Sequence, residues 1–348
     1  MNQRDHNLDA LRVLANVLVI ILHVSATYVT LNIDLINSNF VFANLIDSFT
    51  RISVPLFVMI SGYLTLSQAK NREFKRFYKK SLRSIVLPTL IWSFLYVVLA
   101  TIIVRYKALS DPFISIDDYL QILINWLLGK PYTHLWYMYM MIGMFAFTPV
   151  LIRIKEKLNE KQFLVLGFIM LGLGMIMSVV LNVLWCFLFI EYLGYFILGY
   201  SFKKRFSSSE KNQWLLLVIA LVSGFLVFGL TDLNVREALL SNKLYFYGNL
   251  SPFVITGSLS TFIFFIRLKK LKFDFTFLAS HSSTIYFVHA AIFTAVTFLK
   301  DYILKMDFSA LWYIPVVSLF VYLSSLIFSI ILEYTFKKIR KYLFYVEN

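Results

Sequence analysis

Long apolar stretches alternate with short polar connections along the whole chain. A helix that crosses the hydrocarbon core of a membrane needs about 20 mostly apolar residues. Stretches of that length lie near residues 8–30, 43–67, 85–104, 134–152, 163–181, 184–202, 213–230, 248–266, 282–299 and 312–335. The pattern predicts an all-α fold, a polytopic bundle of about ten transmembrane helices that forms a single domain over residues 1–348.

The sequence also predicts local structure in three of the connections. Basic and aromatic residues alternate over 68–84, as they do in an amphipathic helix at a membrane interface. The stretch 105–133 contains an apolar segment, 119–128, which indicates a short re-entrant or surface helix. Only Asn182 and its neighbours separate the fifth and sixth stretches, so we expect a tight helical hairpin there.

The composition agrees with a membrane protein, because 59% of the residues are hydrophobic and only 15% are charged. A soluble protein is closer to half apolar and about a quarter charged. The first stretch is not expected to be a cleaved signal peptide, since it is too long and contains Asp9 and Arg12. Cys186 is the only cysteine, so no intramolecular disulfide and no thiolate metal cluster is expected. No metal-binding residues are predicted elsewhere in the chain.

The net charge of +14 is distributed unevenly between alternate connections. Most lysines and arginines lie in 68–84, 153–161, 203–211, 267–272 and 337–341. By the positive-inside rule, this distribution places both chain termini in the cytoplasm. The charge therefore serves topology and attraction to anionic lipid, and binding of nucleic acid is not expected.

Arg12 and His23 are anomalous because both lie in the first apolar stretch. An ionisable residue within hydrocarbon costs about 2.5–3.5 kcal/mol on insertion scales. Eleven residues of helix rise about 16 Å, which places Arg12 near the cytoplasmic face and His23 well inside the membrane. The pair resembles an anion anchor followed by a proton acceptor. Two alternatives remain, in which Arg12 only extends to the interface beside Asp9 and His23 only bonds helices together.

Other ionisable residues in the spans extend this predicted site. If the first two spans form a hairpin, His23 is level with Arg51, and Asp47 lies one turn further out on the same helix face. We therefore predict that these three residues converge, although Asp47 and Arg51 also suit a purely structural ion pair. Glu191 and His289 suit either a cavity wall or helix packing. His281 is expected to be exposed at the cytoplasmic start of the ninth span.

The chain resembles a known family, the integral-membrane acyltransferases called the acyltransferase-3 family. Four segments carry the resemblance, which covers nearly the whole length. They are Leu8-Asp9-Ala10-Leu11-Arg12 with His23, residues 51–64 with Ser61-Gly62-Tyr63, His134-Leu135-Trp136-Tyr137 with Pro149, and Ser280-His281-Ser282 with Tyr286 and His289. The chain is similar to the stand-alone enterobacterial common antigen O-acetyltransferase type. It departs from members with a fused extracellular domain, which often have Arg-x-x-Arg where this chain has Lys80 and Arg83.

The resemblance implies an O-acetyltransferase of the bacterial cytoplasmic (inner) membrane. Such an enzyme transfers an acyl group from cytoplasmic acetyl-CoA, a co-substrate, to a hydroxyl of a surface polysaccharide or its lipid-linked precursor. No permanently bound cofactor is expected. A transporter or flippase and a non-catalytic component of a polysaccharide assembly system are the alternative functions, since both share the spans and the basic cytoplasmic face.

The resemblance also suggests roles for the candidate residues. His23 is the expected general base or acyl acceptor, with Arg51 and Asp47 completing the catalytic group. Anion-binding side chains at the cytoplasmic face suit the CoA phosphates, and they are Arg12, Lys79, Lys80 and Arg83. The side chains expected to bind the acceptor or line the cavity are His134, Trp136, Tyr137, Glu191, Tyr286 and His289.

Overall fold

The computed structural model describes residues 5–109, 116–127, 133–180, 187–206, 212–269, 271 and 273–345. Over these ranges the regular structure is helical and contains no β-strand. The α-helices are α1 His6–Asn32, α2 Ser38–Thr50, α3 Ser53–Leu66, α4 Phe74–Ser81, α5 Leu87–Leu109, α6 Ile116–Leu127, α7 Trp136–Lys157, α8 Glu160–Val180, α9 Phe189–Phe206, α10 Gln213–Glu237, α11 Pro252–Arg267, α12 Thr276–Phe298 and α13 Ala310–Tyr345.

The described helices confirm an all-α polytopic bundle. Nine helical segments in the described part of the chain are long and apolar enough to cross a membrane. The predicted sixth span corresponds to α9, an 18-residue helix that also contains Glu191 and three basic residues in its last turn. Because of these charged residues, apolar character alone does not identify α9 as a membrane-spanning helix. The hairpin predicted around Asn182 lies outside the described residues.

Polar side chains begin several of these helices. The Asp5 carboxylate accepts a hydrogen bond from the Leu8 backbone N–H at 3.3 Å, and Asn37 accepts one from Phe40 at 3.0 Å. These N-caps satisfy backbone donors that the helix itself leaves without acceptors. Inside the helices every backbone group has a local partner, which is why lipid-embedded apolar stretches adopt this conformation.

The chain forms two compact units, Met1–Phe57 with Lys203–Asn348 and Val58–Phe202. In the first unit, α1 packs against α2, α11, α12 and α13. The side-chain amide of Asn16 donates to the Ser282 carbonyl at 2.9 Å and fixes α1 against α12. The first unit therefore surrounds the helix that carries Arg12 and His23. That the whole chain acts as one domain stays a prediction.

The predicted second span contains two helices, because regular α-helix stops after Thr50 and resumes at Ser53. Pro55 explains the interruption. Proline has no N–H to donate to the carbonyl four residues earlier, and its ring crowds that carbonyl, which here belongs to Arg51. Arg51, which the sequence predicts to be part of the site, thus lies at a helix break within the second membrane span.

The second unit depends on close approach of helices. A Cβ atom on Gly62 of α3 would lie 1.9 Å from the Phe196 carbonyl oxygen of α9, so only glycine fits this contact. A Cβ atom on Gly172 of α8 would meet nothing within 4 Å. Small residues at such crossings are common in membrane proteins because they let two backbones pack against each other.

The amphipathic segment predicted in 68–84 and the short helix predicted in 105–133 both contain helices in the second unit. In α4, Phe77 is buried against Phe145 with ring centres 6.1 Å apart, while the lysines of that helix are exposed. In α6, the Trp126 indole donates to the Ser93 hydroxyl at 2.9 Å, so the helix lies along α5. The structure therefore agrees with an interfacial helix in 68–84 and a short helix in 105–133.

His281 differs from its prediction. It is only 4% exposed, and its Nδ1 atom lies 2.8 Å from the Ser329 hydroxyl of α13. The expectation of an exposed residue was wrong because α13 continues past this level and covers α12. Hydropathy could not show which face of α12 a later helix would cover.

Candidate active site

Arg12 and His23 lie on one face of an unbroken helix. α1 runs from His6 to Asn32 without interruption, and eleven residues correspond to about three helical turns. Both side chains are partly accessible, whereas Leu11 and Val24 beside them are buried. The face therefore presents a cation and an imidazole in line, about 16 Å apart along the helix axis.

Arg51 and Asp47 form an ion pair at the helix break. Their closest nitrogen and oxygen atoms are 2.5 Å apart, as in a charge-assisted hydrogen bond. The Asp47 side chain is completely buried, and the Arg51 side chain is 18% exposed. Asp47 thus holds the guanidinium from the buried side, while part of Arg51 stays accessible to a ligand.

Tyr247 and Asn44 support Arg51 from a second direction. The guanidinium carbon lies 4.0 Å from the centre of the Tyr247 ring, a cation–π distance. The Tyr247 hydroxyl donates to the Asn44 side chain at 2.6 Å, and the Asn44 amide donates to the Phe228 carbonyl at 3.3 Å. Sequence reasoning missed both residues. They are neutral and lie 203 positions apart, so no spacing rule connects them.

His289 contacts His23 inside the first unit. The two ring centres are 5.3 Å apart with the planes tilted by 37°. His289 is completely buried, and its Nδ1 atom lies 2.7 Å from the Tyr286 carbonyl and 3.2 Å from the Ile285 carbonyl. Arg51 is also close enough for its charge to act on His23. His23 thus lies near His289 and Arg51, and Asp47 joins this group through its ion pair with Arg51.

The predicted cytoplasmic anion-binding residues of the second unit are accessible. Lys79 and Lys80 are exposed on α4, and Arg83 is exposed in the π-helical turn Leu82–Val86 that follows it. All three lie at the end of α4 that leads into α5. They form a short basic segment suited to a phosphate group.

The predicted acceptor-binding residues of the second unit are largely buried among aromatic rings. His134 is 2% exposed, and its ring centre lies 4.7 Å from that of Tyr96. Trp136 is partly accessible and lies 5.8 Å from Tyr192, while Tyr137 is 7% exposed. Of these three side chains, Trp136 is therefore the one with appreciable accessible surface.

Glu191 occupies the first turn of α9 and is 6% exposed. α8 packs closely against its backbone carbonyl, since a Cβ atom on Gly174 would lie 2.1 Å from that oxygen. A carboxylate near a helix N-terminus is stabilised by the helix dipole. This position supports a packing role as well as a role in the cavity.

One titratable group outside the spans has a clear environment. Hydrogen bonds from Thr276, one of them a backbone bond of 2.9 Å, hold the pKa of Asp274 below its ordinary value. His6, whose Nδ1 atom lies 3.4 Å from this carboxylate, has a smaller effect on the same pKa. This pair lies at the beginnings of α1 and α12, well removed along α1 from His23.

The fold and these contacts define a class, an integral-membrane protein with a polar, titratable site inside its helices. Across the described residues, no group of three His, Cys, Asp or Glu side chains is arranged to hold a metal ion. The chain belongs to the acyltransferase-3 family, because the family model described as "Acyltransferase domain" matches residues 5–334. No curated protein and no solved structure matches the chain. The protein is therefore a multi-pass membrane acyltransferase.

Proposed function

We propose that this acyltransferase is an O-acetyltransferase that uses acetyl-CoA from the cytoplasm. Its acceptor is a hydroxyl of a surface polysaccharide or of the lipid-linked precursor. The observation that carries the proposal is the position of His23, which is partly accessible in a membrane-spanning helix and lies beside Arg51 and His289. Family membership favours this function over a transporter, a flippase or a non-catalytic component.

The donor is proposed to enter from the cytoplasmic end of α1. CoA carries several phosphates, and arginine binds phosphate with two parallel hydrogen bonds. Arg12 supplies such a group three turns below His23. In the second unit, Lys79, Lys80 and Arg83 are exposed cations that the basic connections predict to be cytoplasmic as well. The slender pantetheine arm then extends along α1 toward the imidazole. This arrangement requires cytoplasmic termini, as the basic connections predict.

The transfer step exchanges two bonds. The acceptor oxygen attacks the thioester carbonyl carbon, the carbon–sulfur bond breaks, and the hydroxyl proton ends on the CoA sulfur. As a general base, His23 takes that proton during the attack and returns it to the thiolate. Arg51, held by Asp47, stabilises the negative charge that develops on the carbonyl oxygen. In the alternative route, the acetyl group passes first to His23 and then to the acceptor.

The acceptor is proposed to bind at aromatic side chains. Aromatic side chains offer flat apolar faces for a pyranose ring, and the partly accessible Trp136 provides one near the predicted external end of α7, with Tyr137 buried beside it. His134 and Glu191 are the polar candidates for its hydroxyls in the second unit, and Tyr286 is a separate candidate in the first unit. In a bacterial inner membrane, the external end of α7 would face away from the cytoplasm, where glycan precursors could reach it.

The proposal is tested with purified protein in detergent, radiolabelled acetyl-CoA and a glycan fraction from the source cells. We expect release of free CoA together with label on the glycan as an alkali-labile ester. If folded protein releases no CoA and produces no labelled glycan, the proposed reaction is rejected. Denaturing the protein rapidly during turnover distinguishes the general-base route from the acyl-acceptor route. Only the acyl-acceptor route leaves a radiolabelled acetyl group on His23.

A further inference from the structure

The hydrogen bonds of His289 define its protonation pattern. Its Nδ1 atom lies 2.7 Å from one carbonyl oxygen and 3.2 Å from another, on the preceding turn of α12. Carbonyl oxygens only accept hydrogen bonds, so Nδ1 must carry the proton. In the neutral ring, Nε2 is then the acceptor nitrogen. The backbone of α12 thus holds His289 in one tautomer and one orientation.

The burial of His289 limits what it can contact. The side chain is 0% exposed, so it has no surface to offer a substrate. Its ring centre lies 5.3 Å from that of His23, with the ring planes tilted by 37°, so the two imidazole rings are in contact. The Tyr286 ring packs on it at 5.7 Å, and Phe57 packs edge-on to Tyr286 at 6.4 Å. His289 is therefore a fixed acceptor that faces a partly accessible histidine.

We propose that His289 is a positioning residue that sets the tautomer of His23. The structure shows the two rings in contact without a hydrogen bond between them, and a rotation of the partly accessible His23 ring lets one of its N–H groups donate to Nε2 of His289. The other nitrogen of His23 is then unprotonated toward the substrate. The inference rests on the proposed function and deepens it, because it applies whether His23 is a base or an acyl acceptor. Both routes need an unprotonated nitrogen at the thioester or hydroxyl.

The same contact helps during turnover. When His23 takes the hydroxyl proton, both of its nitrogens carry hydrogen, and the proposed hydrogen bond to His289 stabilises the imidazolium. The proton then leaves for the CoA thiolate, and His289 keeps its own Nδ1 proton throughout. The role parallels that of a buried carboxylate behind a catalytic histidine, with a neutral acceptor in place of the anion.

The first test follows histidine tautomers by ¹⁵N NMR and needs no turnover. The chain has five histidines, so selective labelling gives a simple spectrum. In wild-type protein we expect an Nδ1–H tautomer for His289 and a single tautomer for His23. In His289→Ala, His23 should show a mixture of tautomers, whereas His6→Ala should leave its signals unchanged. Unchanged His23 signals in His289→Ala would overturn the proposal.

The second test compares the kinetics of His289→Ala and His289→Gln in the acetyl-transfer assay. Loss of the buried partner should lower kcat about 10- to 100-fold with the KM for acetyl-CoA within about twofold. Glutamine retains an acceptor oxygen and should restore part of kcat, which a role in packing alone does not predict. An unchanged kcat in His289→Ala, or equal losses in both variants, would refute positioning. If wild-type protein transfers no acetyl group but the NMR result holds, the proposed function fails and the contact between the two histidines stands.

Discussion

At the residue scale, the first unit separates accessible groups from buried supports. Arg12, His23 and Arg51 keep part of their surface accessible. Asp47 and His289 are completely buried behind Arg51 and His23. In the proposed reaction a substrate meets Arg12, His23 and Arg51, with Asp47 holding Arg51 from the buried side and His289 packed against His23. Such support reduces the reorganisation that a reaction requires.

Arg12 is expected to act on donor affinity. A hydrogen bond to a charged group contributes about 1.5–3 kcal/mol, so Arg12→Ala should raise the KM for acetyl-CoA about 10- to 100-fold. kcat at saturating donor should change little, since Arg12 lies three turns from His23. Steady-state kinetics with varied acetyl-CoA measures both constants.

Arg236→Ala is the matched control for Arg12, because it removes an arginine that is partly exposed and pairs with Asp232 at 2.7 Å on α10. An exposed pair of this kind contributes little, so its kinetics should match wild type. A fall in kcat with unchanged donor KM in Arg12→Ala would contradict the anchoring role.

At the element scale, the break between α2 and α3 gives Arg51 its place. Pro55→Ala restores an N–H that can bond to the Arg51 carbonyl, which favours a continuous helix. We expect kcat to fall at least about tenfold while thermal stability is maintained or raised, since a helix-breaking proline costs about 3 kcal/mol in a regular helix. The acetyl-transfer assay and a thermal unfolding scan measure the two effects.

Pro315→Ala serves as its control, because Pro315 is an exposed proline inside α13. Its kcat should equal that of wild type. If Pro55→Ala is as active as Pro315→Ala, the helix break does not position Arg51 for the reaction.

Close packing of α3 on α9 predicts a contrast between two glycines. Gly62→Ala places a methyl group 1.9 Å from a backbone oxygen, and such overpacking costs about 1–3 kcal/mol or more. Gly172→Ala meets nothing within 4 Å and gains helix propensity, worth up to about 1 kcal/mol. Thermal unfolding in detergent should therefore show a lower Tm for the first and an equal or higher Tm for the second. Equal Tm values would contradict the α3–α9 contact.

The helices were largely predictable from the sequence, because lipid leaves an apolar backbone few alternatives to a helix. The break at Arg51 was not predicted. The stretch stays apolar on both sides of it, and transmembrane helices often tolerate proline, so Pro55 alone gave no clear signal. The convergence of His23 with Arg51 and Asp47 followed from the hairpin geometry. The contacts of Tyr247 and Asn44 with this group depend on packing between distant helices, which one sequence does not reveal.

At the scale of the whole molecule, the account depends on orientation in the membrane. Cytoplasmic termini place the α1–α2 connection outside and α4 inside. Leu35 is 69% exposed in that connection, and Lys75 is exposed on α4. In a Cys186→Ser background, Leu35→Cys should react with an impermeant thiol reagent added to intact cells or spheroplasts. Lys75→Cys should react only after the membrane is opened. The reverse pattern would place Arg12 on the wrong side for cytoplasmic acetyl-CoA.

The central claim is that His23 carries out the acyl transfer, and its replacement tests this most directly. Acetyl transfer is measured for His23→Ala and, as a control on the same helix, for His6→Ala. A proton-transferring group contributes about 100- to 10,000-fold to a rate, so His23→Ala should lower kcat within that range while the KM for acetyl-CoA stays close to wild type. His6→Ala should match wild type. A His23→Ala protein that transfers acetyl groups at the wild-type rate would contradict the account.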